Sequence, residues 1–349
     1  MDSIKKKVFF HVGTVKTGST YIQKFLFDNK LLLQEMDIDY LILSPLRLDL
    51  PRYANADFIL EKGFDKNVVI RAIELSPCKN ILISEEGLLA RSDVLTHSAF
   101  DDFEKTAIMY VRPPVELIAS WAGEMSLPYN FWIGSHPSIN GIIPVYKAIP
   151  RLQWEYHATV ENFLDALDLR PDVRLSVRPY VREEFVNGNI IDDFFSVLGV
   201  DIPNSMREAI EKSRATFVNE GRTRKYCDIS VLCAQELERY RALAQFGSNL
   251  VDYVYDACVS GDDRKILDTL SDAEMQEIYV RLKPTYDRLR SKGDVFEGAA
   301  VLPPGFGHNR APYQPVNECE LRTHVADFLF NRCRDRLPQG AAGDDPGGS

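Results

Sequence analysis

The chain has 349 residues, 45% of them apolar and 26% charged, the composition of an ordinary globular protein. A formal net charge of −10 excludes a broad basic surface for nucleic acid, so an anionic ligand would need a local cluster of cations. Six cysteines, at 78, 227, 233, 258, 319 and 333, form no C-x-x-C pair and no zinc spacing with histidine, which favours reduced thiols and a cytoplasmic setting.

Taken in order, the first expected element is a strand over Val8 to Val12, an apolar run behind three lysines. Gly13 and Gly18 bracket a polar loop, and Ser19 or Thr20 opens an amphipathic helix with Ile22, Phe25, Leu26 and Phe27 on or near one side. Strand, tight glycine loop and helix start together aim backbone N–H groups at a phosphate. The loop departs from the Walker pattern G-x-x-x-x-G-K-[ST]: Ser19 stands where the Walker lysine would, and Lys16 lies inside the loop. A nucleoside triphosphatase needs that lysine on its β- and γ-phosphates.

A short strand follows over 39–44, stopped by Pro45, and a helix over 65–75 with Val68, Val69, Ala72 and Leu75 as its buried stripe. Ile81 to Ile83 form a buried strand that ends in Ser84, Glu85 and Glu86. Thr106 to Val111 form another, closed by Arg112-Pro113-Pro114, after which a helix carries Ser120. Polar residues thus collect at three strand ends, the edge at which open α/β sheets bind ligands. The repeated strand–crossover–strand order implies a parallel sheet.

Residues 128–150, rich in proline, glycine and aromatics, read as a lid-like insertion in which Phe131, Trp132 and Tyr146 would be costly to expose. A helix over 154–167, a strand over 173–178 and a helix over 190–198 stopped by Gly199 come next. The part from about 204 to 335 is mostly helical, with a basic island of Arg214, Asn219, Arg222, Arg224 and Lys225. Residues 336–349 have the composition of a disordered tail. With no repeat and no clean linker, a single domain over 1–335 is expected. No window approaches the roughly 18 to 20 apolar residues of a membrane span.

The run V12-G-T-V-K-T-G-S-T20 resembles the 5′-phosphosulfate loop of sulfotransferases that use 3′-phosphoadenosine 5′-phosphosulfate (PAPS), with Val15 in place of the usual proline. Arg112 with Ser120 eight residues on resembles the 3′-phosphate motif of the same family. Ser84-Glu85-Glu86, Arg178-Pro179-Tyr180 and the run from Asp193 to Gly199 resemble stretches of its bacterial carbohydrate-type members. Phe217 to Arg222 resembles its N-E-S segment with Gly221 for serine, and the likeness spans roughly residues 8 to 225.

The resemblance implies a three-layer α/β/α fold around a parallel sheet, P-loop NTPase-like in its sulfotransferase form. It implies PAPS as co-substrate, no required metal, and a hydroxyl of a carbohydrate or glycosylated small molecule as acceptor. Gly13, Thr14, Lys16, Thr17, Gly18, Ser19 and Thr20 would wrap the 5′-phosphosulfate, with Lys16 steadying the bridging oxygen as it leaves. Arg112, Ser120 and Asn219 would hold the rest of the nucleotide. Glu86 would take the acceptor's proton, with Glu85 or His136 as alternatives. His11, inside the first strand, reads as a hydrogen-bonded core histidine. A P-loop phosphotransferase or nucleotide hydrolase is the competing function.

Overall fold

Five strands make one sheet: β1 Lys7–His11, β2 Ile38–Tyr40, β3 Asn80–Ser84, β4 Glu104–Val111 and β5 Val173–Pro179. Every pair is parallel and the order is β2-β3-β1-β4-β5, so β1 lies in the middle. The computed structural model describes residues 5–41, 66–126, 132–133, 136–137, 144–214, 223–239, 247–261, 263–292 and 313–333. Val8, Phe10, Ile81, Leu82, Ile83, Ala107, Ile108 and Met109 are all fully buried. Consecutive buried residues mean that both faces of these strands are covered, which is why their sequences are continuous apolar runs and not alternating ones.

In register, His11 stands beside Ser84 on one side and Ile108 on the other. The pairing runs just past the strands, with Val12 N–H donating to Ile108 O at 3.0 Å and Glu85 N–H to His11 O at 3.1 Å. The ends of β1 and β3 are therefore level with each other, while β4 runs three residues further, to Val111. The helix α1 Ser19–Asp28 packs Ile22, Phe25 and Leu26 into one apolar cluster with Phe9, Leu82, Tyr110, Phe194 and Phe195. Each such side chain contributes about 1.5–3 kcal/mol by leaving water.

The chain gathers into two compact units, Met1–Leu117 with Gln153–Asn219 and Gln276–Phe306, and Ile118–Leu152 with Glu220–Met275 and Gly307–Ser349. The first contains the sheet. In the second, helices Arg224–Arg239, Gly247–Ala257 and Glu318–Cys333 enclose Tyr226, Ile229, Leu250, Val251, Val254 and Leu321. Several boundaries fall inside helices, including Pro114–Met125 and Val145–Asp168, so no linker composition marks them.

Two details differ from the sequence expectation. In helix Lys66–Leu75 the buried residues are Val69 and Ile73, an i,i+4 pair, while Val68 and Leu75 are 54% and 74% exposed. The lid-like stretch ends earlier than 150, because a helix begins at Val145 and passes through Pro150. Its buried stripe of Val145, Ala148, Ile149 and Leu152 already has helical spacing, and the proline removes only one backbone donor. Tyr146 on this helix is exposed. Phe131 and the side chain of Trp132 lie outside the described residues, as does the tail at 336–349. Among the described residues no helix is long and apolar enough to cross a membrane. Cys78, Cys227, Cys233, Cys258 and Cys319 form no disulfide.

Candidate functional site

The loop from Gly13 to Gly18 leaves the carboxyl end of the central strand and turns directly into helix α1. Two residues take the left-handed backbone, Lys16 at φ 64° and Gly18 at φ 75°. At Gly18 this is free of steric cost. At Lys16 it costs about 1–2 kcal/mol, since a side chain crowds the following carbonyl. Gly18 occupies the N-cap position with no side-chain cap, and Ile22 N–H closes the first turn on its carbonyl at 3.0 Å. Ser19 is thus the first helical residue, not its cap. A Cβ on Gly18 would lie 3.0 Å from the Tyr180 ring, and one on Gly13 would lie 3.2 Å from Ser19 Cβ. Both glycines are needed for close approach.

Two loop threonines turn their hydroxyls inward. Thr14 Oγ1 donates to Tyr110 O at 2.8 Å, and Thr17 Oγ1 donates to Thr14 O at 2.6 Å, both buried. The first braces the loop against β4 and the second closes the loop on itself; both hydrogens are spent there, so a ligand would meet these residues through the backbone. Ser19 is 2% exposed and its hydroxyl donates to Glu86 Oε1. Thr20 is exposed.

The two glutamates separate cleanly. Strand β3 ends at Ser84, Glu85 is extended and buried, and its carboxylate accepts from Gly87 N–H at 3.3 Å as the cap of a short 3-10 turn. Glu86 opens that turn, is half-buried, and reaches the loop at Ser19.

Arg112 follows β4 and comes to the same loop. Its Nη1 lies 3.5 Å from Lys16 O, its Nε 3.3 Å from Glu116, and its guanidinium 5.7 Å from the centre of the Tyr180 ring. Tyr286 donates its hydroxyl to the Arg112 carbonyl. Tyr180 joins Gly18 to Arg112, a role that the sequence did not disclose beyond its place after Arg178-Pro179. Burial raises the Tyr180 pKa and Arg112 partly offsets this, so the ring stays neutral.

Arg178 is engaged with a buried carboxylate. It forms a forked pair with Asp193 at 3.1 and 2.5 Å, and fully buried Asp193 also accepts from Tyr110 Oη at 2.8 Å. Arg224 and Lys225 belong to the helical unit, where Arg224 pairs with Asp228 and Lys225 donates to Cys258 O at 2.6 Å. Ser120 is half-buried on helix Pro114–Met125, in the stretch assigned to the helical unit. Asn219, with all of the segment 217–222, and the side chain of His136 lie outside the described residues.

His11 is fully buried, with Nδ1 2.7 Å from Ser84 Oγ. Burial lowers its pKa to about 4, so the ring is neutral at pH 7. Ser84 is shared with the Tyr40 hydroxyl, itself held protonated by burial and the nearby Glu85. Among the described residues one group has metal-ligand chemistry, Cys258, Glu320 and His324 within 4.8 Å of one another. Its Glu320 already accepts from Ser260 N–H at 3.2 Å, and the low Glu320 pKa follows from such bonds.

What the site offers is a set of backbone donors at a helix start, two cations in Lys16 and Arg112, and a carboxylate at Glu86. Compared with family models, curated proteins and solved structures, the chain gives no match in any of the three.

Proposed function

We propose that the chain is a PAPS-dependent sulfotransferase that acts on a hydroxyl of a carbohydrate or glycosylated small molecule, with a three-layer, P-loop-like sulfotransferase fold. The observation that carries this reading is the convergence of Lys16, Arg112 and Glu86 on one loop at the carboxyl end of the central strand. A phosphosulfate has no β- and γ-phosphates beyond the 5′ position, so a lysine within the loop suits it better than one after Gly18.

In this reading the loop N–H groups, that of Ser19 among them, hold the 5′-phosphate, and Arg112 grips the 3′-phosphate through its planar fork. Ser120 and Asn219 complete the nucleotide site by resemblance. Glu86 accepts the proton of the acceptor hydroxyl as its oxygen bonds to sulfur. The bond from sulfur to the bridging phosphate oxygen breaks, and Lys16 stabilises the charge that grows there. Adenosine 3′,5′-bisphosphate leaves. No step calls on a metal.

Incubation of the full chain with PAPS and a pool of carbohydrate acceptors tests this directly. Acceptor-dependent release of the bisphosphate is expected, with little release by Lys16→Ala. Mg²⁺-dependent ATP turnover without sulfate transfer would favour the phosphotransferase or hydrolase instead.

A further inference from the structure

The buried imidazole of His11 has a use beyond filling the core. Its Nδ1 is engaged with Ser84, but Nε2 has no hydrogen-bond partner among the described residues although the side chain is 0% exposed. A buried nitrogen left in this way needs an explanation, because burial without a partner costs about 1–3 kcal/mol. The neighbours do not supply one. Phe194 and Tyr110 stand nearly perpendicular to the imidazole, at 5.3 and 6.3 Å between ring centres, and the Tyr110 hydroxyl is committed to Asp193.

The unpartnered edge faces the loop. The position of a Cβ on Gly13 lies 3.4 Å from His11 Nε2 and 3.6 Å from Cε1, on the side that also meets Ser19 Cβ. Nε2 and the first residue of helix α1 thus both border the space that a side chain at the first loop glycine would fill. We propose that His11 is part of the anion site, its Nε2–H donating from beneath the loop to an oxygen of the phosphate that the loop holds. This deepens the preceding reading and rests on the same loop.

The proposal sets the proton's place: with Ser84 donating to His11 Nδ1, the imidazole proton is on Nε2. An uncharged donor at this depth avoids the cost of a buried imidazolium. It adds to Lys16 and Arg112 without changing the charge of the site.

The test uses the full chain with ¹⁵N-labelled histidine and a long-range ¹H–¹⁵N spectrum, the His11 signals being assigned by their loss in His11→Gln. At pH 7 the neutral Nε2–H form is expected. Inorganic phosphate and adenosine 3′,5′-bisphosphate, added separately, should each shift Nε2 more than Nδ1. His11→Asn, which keeps only the Nδ1 side, should weaken phosphate binding about tenfold or more, while His11→Gln keeps a donor near Nε2 and should stay within about threefold. Gly13→Ala should also weaken binding by crowding Nε2. An Nδ1–H form, or no Nε2 shift with either ligand, overturns the proposal. If the bisphosphate binds and His11 does not respond, the inference fails while the nucleotide reading stands. If phosphate shifts Nε2 and the bisphosphate does not bind, the inference stands and the nucleotide reading fails.

Discussion

Arg112 and Arg178 end neighbouring strands of the same sheet, and their surroundings give them opposite tasks. Arg178 meets a fully buried carboxylate in a forked pair whose remaining capacity is filled by the Tyr110 hydroxyl and the Val186 N–H at 3.3 Å. Arg112 has one carboxylate at 3.3 Å that is itself 27% exposed, a long contact to a loop carbonyl and an aromatic face. A saturated, desolvated pair is a structural bolt. A cation held loosely beside a helix start can transfer its charge to an incoming phosphate.

That contrast can be broken by substitution. Asp193→Ala leaves Arg178 and Tyr110 without their shared acceptor and is expected to cost about 3–5 kcal/mol in denaturant unfolding. Arg112→Ala should cost under about 1 kcal/mol in the same measurement, since its pair is partly solvated. Equal losses would erase the distinction.

The histidine sharpens it through pH. Folding holds the His11 pKa near 4, below the ordinary 6.5, so only the unfolded chain takes up its proton between those values. This contribution is complete above pH 6.5 and is lost as pH falls towards 4, by about 3 kcal/mol at about 1.4 kcal/mol per unit. The stability difference between wild type and His11→Gln should shrink by that amount over this range; a difference independent of pH would show that the ring is not held neutral.

On the ligand side, Lys16→Ala should keep the fold and slow sulfate transfer by on the order of 10²-fold or more. A near-normal rate would remove Lys16 from the chemistry. Glu86→Gln should lower turnover more than nucleotide affinity, whereas equal loss in Glu85→Gln would move the base by one residue. Arg112→Ala should weaken bisphosphate binding about tenfold or more, as one charged fork is lost. The smallest effect on stability is the most diagnostic of the loop: Lys16→Gly should slow transfer as Lys16→Ala does while raising stability by about 1 kcal/mol, because φ 64° suits glycine.

Much of the sheet was legible in the sequence because β1, β3 and β4 are continuous apolar runs closed by polar or proline punctuation. The loop was legible from two glycines and a lysine. Glu86 could not be told from Glu85 by strand alternation, because the strand stops at Ser84 and Glu86 already belongs to a 3-10 turn. Tyr180 lies far from Gly18 in sequence, and only the pairing of β4 with β5, with Tyr180 N–H on Val111 O at 2.7 Å, brings it over the loop. The two units were hidden because each is assembled from interleaved stretches. The core reading of His11 captured its burial, but not the nitrogen that faces the loop.

The most direct measurement is a calorimetric titration of the full chain with adenosine 3′,5′-bisphosphate in metal-free buffer. Saturable one-site binding, weakened in both Lys16→Ala and Arg112→Ala, is the expected result. No binding by the intact protein, or binding that needs Mg²⁺ and is outcompeted by ATP, would contradict the assignment of this loop to a phosphosulfate donor.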